Sequence, residues 1–322
     1  RHTFRFKLLI CLLLTLLGCG VFLFASDPLV MLYLQGKGDP AMAKETLRYG
    51  RQYIFAMLPG LLPFALTNAY ASTLRECGHP TVPMLAGLAA MMVDVIGNYI
   101  FIFGKLGVPA MGVTGAAVAT VIARYVEFFI VCIWTHTHSK ECPYVTGLYK
   151  SLYIPARLLK VISLRGLPLL ANECLWALGS ALINQCYSYC GLDVVPALSI
   201  STTIYNLAAV VFRSLGNTVG ILTGQMLGAN RPKAEIRRDN NRQCALCVAS
   251  GISFGLLTIA LSTVFPAMYN TTDEVRHLAK WLIIISAIGM PLQAYIFPVY
   301  FTLRAGGRVV ETFLFDCGAI WI

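Results

Sequence analysis

Long apolar runs recur along the whole chain, and they limit its possible folds more than any other feature. A helix needs about 20 apolar residues to cross a bilayer, and eight runs reach that length. They cover residues 8–34, 48–74, 82–104, 110–134, 163–190, 194–227, 243–268 and 278–303, and a shorter ninth run covers 309–322. Only 12% of the residues are charged, against about 25% in a soluble domain. The sequence therefore predicts an all-α polytopic membrane protein embedded in the lipid bilayer.

The distribution of positive charge predicts which loops face the cytoplasm. When the loops are assigned alternately to the two sides, sixteen Lys and Arg residues fall on one side and seven on the other. By the positive-inside rule the side richer in Lys and Arg is cytoplasmic. Membrane topology therefore explains the net charge of +10, and we predict no nucleic acid partner.

The eleven cysteines are scattered through the apolar runs, where Cys packs as a small hydrophobe, so we predict no disulfide framework.

The longest connection between apolar runs divides the chain into two halves. It covers residues 135–162, is basic and contains prolines. We predict an N-terminal lobe at 1–138, a cytoplasmic linker at 139–162 and a C-terminal lobe at 163–322.

A short motif, Thr-Leu-Arg-x-x-Gly, occurs twice, at 73–78 and 302–307, each time at the end of an apolar run. Six predicted crossings separate the copies. An even number returns the chain to the same face, so the halves are predicted to be parallel repeats, as in many secondary transporters. The arginine of each copy would lie at the negative end of a helix dipole, and the glycine would end the helix in a left-handed conformation. We assign these structural roles to Arg75, Arg304, Gly78 and Gly307.

Longer motifs make the chain resemble the multidrug and toxic compound extrusion (MATE) family of transporters. They are LRECGHPTVPM at 74–84, DVIGNYIFIFGKLGVPAMGVTGAAVAT at 94–120, GLPLLANECLWALG at 166–179 and GNTVGILTGQMLGANRPKAE at 216–235. The resemblance implies two pseudo-symmetric bundles of six helices each. Against that pattern the chain looks like a fragment holding about nine of the twelve helices, from the third to the start of the eleventh. We expect a monomer in the plasma membrane.

Asp94 is the residue most indicative of function, because it lies near the middle of the apolar run 82–104. An ionisable residue at that depth is expensive and is expected to be functional. Asn98 lies four residues on, on the same helical face. Together they offer hard oxygen ligands for a proton or for Na⁺. The alternative is a protonated Asp94 that only bonds to a neighbouring helix.

The family resemblance extends this site by two residues. Members often place an Asn and an Asp four residues apart on the fifth helix, and here the two types are exchanged. Thr120 matches a sixth-helix Thr that borders the site in relatives, and Asn68 on the preceding helix is placed as its neighbour. The resemblance thus implies a cation-coupling site of Asp94, Asn98, Thr120 and Asn68, with H⁺ or Na⁺ as the coupling ion and no other cofactor or metal.

Other charged residues also lie inside apolar runs. Some relatives use an acidic residue on the seventh helix for cation coupling or drug binding, and Glu173 is the candidate here. Its alternative is an interfacial ion pair with Arg165 or another basic residue. Arg124 and Glu127 are three residues apart and are expected to pair. Arg213 has no evident partner.

Four glycines form a stripe with a spacing of four residues. Small residues at this spacing let helices pack closely in lipid, and a bend used in gating is the alternative. The stripe comprises Gly216, Gly220, Gly224 and Gly228.

The run GISFG at 251–255 matches the esterase pattern G-x-S-x-G, but that motif needs a preceding strand. We therefore predict that the chain is not an enzyme.

Three functions are compatible with these features. The first is cation-coupled efflux of amphiphilic organic cations and drugs by alternating access, with aromatic and acidic groups attracting the substrate. The second is a flippase of the same superfamily for lipid-linked oligosaccharides or peptidoglycan precursors, which would need cationic residues for pyrophosphate. The third is a membrane receptor or scaffold without transport, for which neither the repeat nor a deep Asp is needed.

Overall fold

The computed structural model describes residues 1–34, 40–151, 153–189 and 194–321, and nearly all of them are helical. The helices are α1 (His2–Leu34), α2 (Pro40–Glu76), α3 (Thr81–Phe103), α4 (Val113–Thr137), α5 (Ala156–Tyr189), α6 (Val194–Gly228), α7 (Lys233–Leu261), α8 (Val264–Ala267), α9 (Asp273–Ala305) and α10 (Val309–Trp321), with a 3-10 turn at Leu148–Lys150. In these ranges, eight helices are long and apolar enough to cross a membrane. The eight complete spans predicted from the sequence are confirmed.

The helix ends differ from the predicted runs in two respects. Helix α7 begins at Lys233, ten residues before the predicted apolar run, because its basic first turns continue the helix beyond the apolar segment. The run 243–268 is divided between α7 and the short α8, which contains Pro266, a residue that cannot donate a backbone hydrogen bond. The last residue of the runs 163–190 and 309–322, and the loop 191–193, lie outside the described residues.

The chain divides into two compact units, Arg1–Leu159 and Lys160–Ile322. In the first unit, α4 packs against both α2 and α3, and α1 packs against α2. In the second unit, α6 and α7 pack against α9 and against each other, and α10 contacts α9. The lobe and linker boundaries drawn from the sequence stay predictions.

The first part of the predicted linker is anchored to the first unit. Arg5 is only 6% exposed, and its guanidinium donates to the carbonyl oxygens of Leu148 and Gly147, each at 2.8 Å. The Tyr70 and Tyr149 hydroxyls are 3.0 Å apart. A buried guanidinium is stable only when carbonyls or carboxylates surround it, so these bonds hold the linker turn against α1 and α2.

The two copies of the repeated motif end their helices in the same way. The amide of His79 donates to the carbonyl of Leu74 at 2.9 Å, and the equivalent bond from Arg308 to Leu303 is 3.0 Å. The final glycines have φ values of 90° and 77°. This bond, together with a left-handed residue, defines the Schellman motif. Both glycines, Gly78 and Gly307, thus take the left-handed conformation that was expected of them.

The glycine stripe on α6 is a packing surface over only half of its length. A Cβ atom at Gly216 would lie 2.8 Å from Cβ of Phe297, and one at Gly220 would lie 2.7 Å from Cβ of Phe301. A Cβ atom at Gly224 or Gly228 would meet no described atom within 4 Å. The packing role predicted for the whole stripe therefore needs correction, because α9 approaches only its first two glycines.

This difference predicts opposite outcomes for one substitution made one helical turn apart. We expect Gly220→Ala to destabilise the protein by about 1–3 kcal/mol, because the added methyl forces α6 away from α9. We expect Gly224→Ala to be neutral or slightly stabilising, since Ala favours a helix by about 1 kcal/mol over Gly. Thermal unfolding in detergent measures both. Equal midpoints for the two variants would contradict the assigned α6–α9 contact.

Candidate functional site

Small residues bring α3 and α4 into close contact. A Cβ atom at Gly97 would lie 3.0 Å from Cβ of Ala119, and one at Gly115 would lie 2.6 Å from the carbonyl oxygen of Phe101. No larger residue fits at Gly115 without moving α3. The close approach leaves the polar residues of both helices facing one narrow space, as small-residue interfaces in membranes do.

That space is a cleft of about 260 Å³ between α3 and α4. Its polar lining consists of Asp94 from α3 and of Thr120, Arg124 and Glu127 from α4. Its apolar lining consists of Gly87, Ala90, Met91 and Ala123. The structure thus brings together Asp94 and Thr120, which the sequence placed at one site, and adds the charged pair Arg124 and Glu127.

Asp94 and Asn98 interact directly, and each keeps one oxygen free. The Asn98 amide Nδ2 donates to Oδ2 of Asp94 at 3.2 Å. Oδ1 of Asp94 and Oδ1 of Asn98 are buried without a hydrogen-bond partner in the described part of the chain. Buried polar atoms are normally paired, so two unpaired oxygens on neighbouring residues indicate a place for a proton or a cation.

Arg124 and Glu127 form the ion pair that their spacing predicted, with 3.2 Å between Nη1 and Oε2. Glu127 is 18% exposed and Arg124 41% exposed at the side chain. The guanidinium also lies 4.8 Å from the ring centre of Phe64 on α2. Among the charged residues that line the cleft, Asp94 is the one with no oppositely charged group within 4 Å in the described ranges.

Asn68 does not reach this cleft. Its side chain is exposed, and its amide donates to the carbonyl of Phe64, one turn earlier on its own helix, at 2.9 Å. The expected placement of Asn68 beside Asp94 is therefore not what the structure shows. A side chain that bonds back to its own helix is turned along the helix axis instead of towards the neighbour.

Glu173 pairs with a basic residue other than the one named from the sequence. Its Oε1 lies 2.8 Å from Nη2 of Arg304, and the guanidinium carbon of Arg304 lies 4.7 Å from the ring centre of Tyr300. The arginine of the second motif copy thus ties α9 to α5. A carboxylate with a cationic partner is a weaker candidate for cation binding than the unpaired Asp94.

The sequence did not single out the most buried polar cluster of the second unit. Asn172 is 1% exposed, and its Nδ2 donates to Oδ2 of Asp316 at 2.7 Å and to the hydroxyl of Tyr300 at 3.1 Å. The thiol of Cys317 donates to Oδ1 of Asn172 at 3.3 Å. The usable signal was Asp316, a carboxylate inside an apolar run. The cluster joins α5, α9 and α10.

Within the residues that the structure describes, Arg213 has aromatic partners and no acidic one within 4 Å. Its guanidinium carbon lies 5.8 Å from the ring centre of Tyr205 and 5.5 Å from that of Phe297. Arg213 is exposed, and cation–π contacts at exposed sites contribute about 0.5–1 kcal/mol. They give Arg213 the partner that the sequence left open.

The chain is similar to the members of one known protein family. The family model MatE matches residues 1–100 and 168–315. "Probable multidrug resistance protein NorM" of Mannheimia succiniciproducens is 26% identical over 278 residues, which are 84% of this chain and 59% of that protein. "Multidrug resistance protein NorM" of Photobacterium profundum is 27% identical over 258 residues, 78% of this chain and 54% of that protein. The chain therefore spans little more than half the length of these relatives.

Solved structures show the same fold. A mutant of the Vibrio cholerae MATE transporter VcmN superposes with a TM-score of 0.81 at 20% identity, covering 96% of this chain and 67% of that one. The outward-facing conformation of a multidrug resistance MATE family transporter gives 0.80 at 16% identity, covering 98% and 67%. Since the family model matches well over half of the residues, this chain belongs to the MATE family of multi-pass integral membrane transporters and is not an enzyme.

Proposed function

We propose that the protein is a secondary active transporter that exports amphiphilic organic cations in exchange for H⁺ or Na⁺. The observation that carries this proposal is Asp94 in the α3–α4 cleft, which has no cationic partner among the described residues. One oxygen of Asp94 and one of the adjoining Asn98 are buried and unpaired in the same part of the chain. A carboxylate inside a membrane is unfavourable unless it is neutralised. A mobile cation or a proton supplies that neutralisation and then has to leave again for transport to continue.

The residues around Asp94 suit this role. Asn98 orients the carboxylate by the bond to Oδ2 and leaves its own Oδ1 free for a cation. Thr120 adds a hydroxyl from the opposite wall of the cleft. An ion that binds one conformation of a transporter more tightly than another shifts the balance between them by that difference in affinity. Occupancy of this cleft would therefore bias the alternating-access equilibrium.

The named relatives support the class of substrate. Both are called multidrug resistance proteins, and organic cations are attracted by carboxylates and by aromatic faces. Because the chain spans little more than half of their length, export is proposed for the full-length gene product, and the test uses that product.

Uptake of a fluorescent organic cation by inside-out vesicles tests the proposal. Vesicles with and without the protein receive an imposed pH gradient, an imposed Na⁺ gradient, or neither. We expect accumulation under one gradient only, and the effective gradient names the coupling ion. Absence of protein-dependent accumulation under both gradients would contradict the proposal and favour the flippase alternative.

A further inference from the structure

The register of α3 against α4 brings Arg124 into one cleft with two carboxylates, those of Asp94 and Glu127. The two helices are antiparallel. At one level Gly97 lies opposite Ala119, and at a second level a Cβ atom built on Gly87 would lie 3.9 Å from Oε1 of Glu127. Asp94 and Gly87 are two turns apart on α3, or about 10 Å along the axis. In this register the backbone of Arg124 lies level with the turn of α3 between them, and Arg124 lines the same cleft as the carboxylates of Asp94 and Glu127.

The charges in the cleft make these two carboxylates competitors for one guanidinium. The charged groups that line it are Asp94 from α3 and Arg124 and Glu127 from α4, while α2 contributes the ring of Phe64 beside Arg124. Arg124 is bonded to Glu127 at 3.2 Å. Since Arg cannot be deprotonated in a protein, its charge is fixed, and its choice of partner decides which carboxylate remains available.

We propose that Arg124 is a tethered cation that Glu127 holds away from Asp94, and that the Arg124–Glu127 pair thereby keeps the Asp94 site open to mobile cations. Without Glu127, the guanidinium would turn to Asp94 and occupy the place of the coupling ion. Without Arg124, the cleft would hold two free carboxylates and would take up two positive charges instead of one. This inference rests on the proposed function, because it concerns the same cleft.

The inference can be tested without a transport assay by labelling Asp94 with a hydrophobic carbodiimide, which reacts with a protonated carboxyl group. The full-length protein is labelled in nanodiscs at fixed pH, and modification of each residue is read by mass spectrometry. An opposite charge beside a carboxyl group changes its protonation equilibrium by about 10-fold to 1,000-fold. We therefore expect Glu127→Gln to reduce the labelling rate of Asp94 at least about 10-fold.

Two further variants separate this mechanism from a general change in structure. In Arg124→Gln, both Asp94 and Glu127 should label faster than in the wild type. In the double variant Arg124→Gln with Glu127→Gln, the labelling rate of Asp94 should return to near the wild-type value, because no guanidinium is left to compete. Failure of the double variant to recover Asp94 labelling would overturn the inference.

The chain offers a matched control. Arg308, which immediately precedes α10, and Glu311, in the first turn of α10, form another i,i+3 ion pair at 3.5 Å. Both side chains are exposed. Glu311→Gln should leave the labelling rate of Asp94 unchanged. Three results would overturn the inference. They are an equal fall of the Asp94 labelling rate in Glu311→Gln, an unchanged Asp94 labelling rate in Glu127→Gln, and no labelling of Asp94 in any variant. If the labelling follows the prediction but no variant transports, the inference stands and the proposed function fails.

Discussion

Asp94→Asn is expected to abolish gradient-driven accumulation of the organic cation, bringing it to the level seen with no gradient. The substitution keeps the size of the side chain and a hydrogen-bonding group for Asn98, which is 3.2 Å away. It removes the carboxylate of the cleft that has no cationic partner among the described residues, and with it the group that a proton or Na⁺ would neutralise. Coupling between sites amounts to about 1–3 kcal/mol, or about 5–150-fold in affinity, and all of it should disappear.

The control for this variant is the same substitution at an exposed position. Asp273 lies in the first turn of α9 with its side chain 96% exposed, paired with Arg276, and Asp273→Asn should transport at the wild-type rate. The measurement is the vesicle assay, with surface expression matched between variants. Wild-type accumulation by Asp94→Asn would exclude Asp94 as the coupling residue and direct attention to Asp316 in the second unit.

Much of the fold could be predicted from the sequence, because the bilayer imposes length and composition on each helix. The eight spans, the helix-ending geometry at Gly78 and Gly307, and the Arg124–Glu127 pair all follow from local spacing. Each of these features depends on residues of a single helix or of the turn that ends it. A single sequence reports such short-range relations directly.

Features that depend on which helices meet could not be predicted in the same way. Gly220 and Gly224 are equivalent in the sequence, yet only Gly220 has α9 against it. Asn68 has the right chemistry for the cleft but bonds to its own helix. The sequence left open whether Glu173 pairs with Arg165 or with another basic residue, and its partner is Arg304, 131 positions away. The register and rotation of packed helices decide each case, and they are set by many contacts at once.

The α3–α4 cleft combines features that one sequence can predict with features that depend on how the helices pack. The depth of Asp94 in its run marked it as a candidate functional residue, and the family resemblance implied Thr120 as its neighbour. The unpaired oxygens of Asp94 and Asn98, and the presence of Arg124 in one cleft with two carboxylates, could be found only from the packing of α3 against α4. The sequence thus identified the residues of the candidate site, and the packing of the two helices shows which charged groups share the cleft with them.

Asn172→Ala is expected to destabilise the protein by about 3 kcal/mol, because one buried amide satisfies three partners on two other helices. It removes the donor to Asp316 at 2.7 Å and to Tyr300 at 3.1 Å, and the acceptor for Cys317. A carboxylate that loses its donor in a desolvated place costs more than a neutral group does. Thermal unfolding in detergent should show a midpoint lower by several degrees.

The neighbouring residue provides the control for Asn172→Ala. Glu173 is 58% exposed at the side chain, and its pair with Arg304 is of the kind that contributes about 0–1 kcal/mol. Glu173→Gln should therefore leave the midpoint almost unchanged. In a double-mutant cycle, Asn172→Ala and Asp316→Ala should be non-additive by about 1.5–3 kcal/mol, the range for a hydrogen bond to a charged group. Additive losses would mean that the amide and the carboxylate do not interact, and that α10 is held to α5 by other contacts.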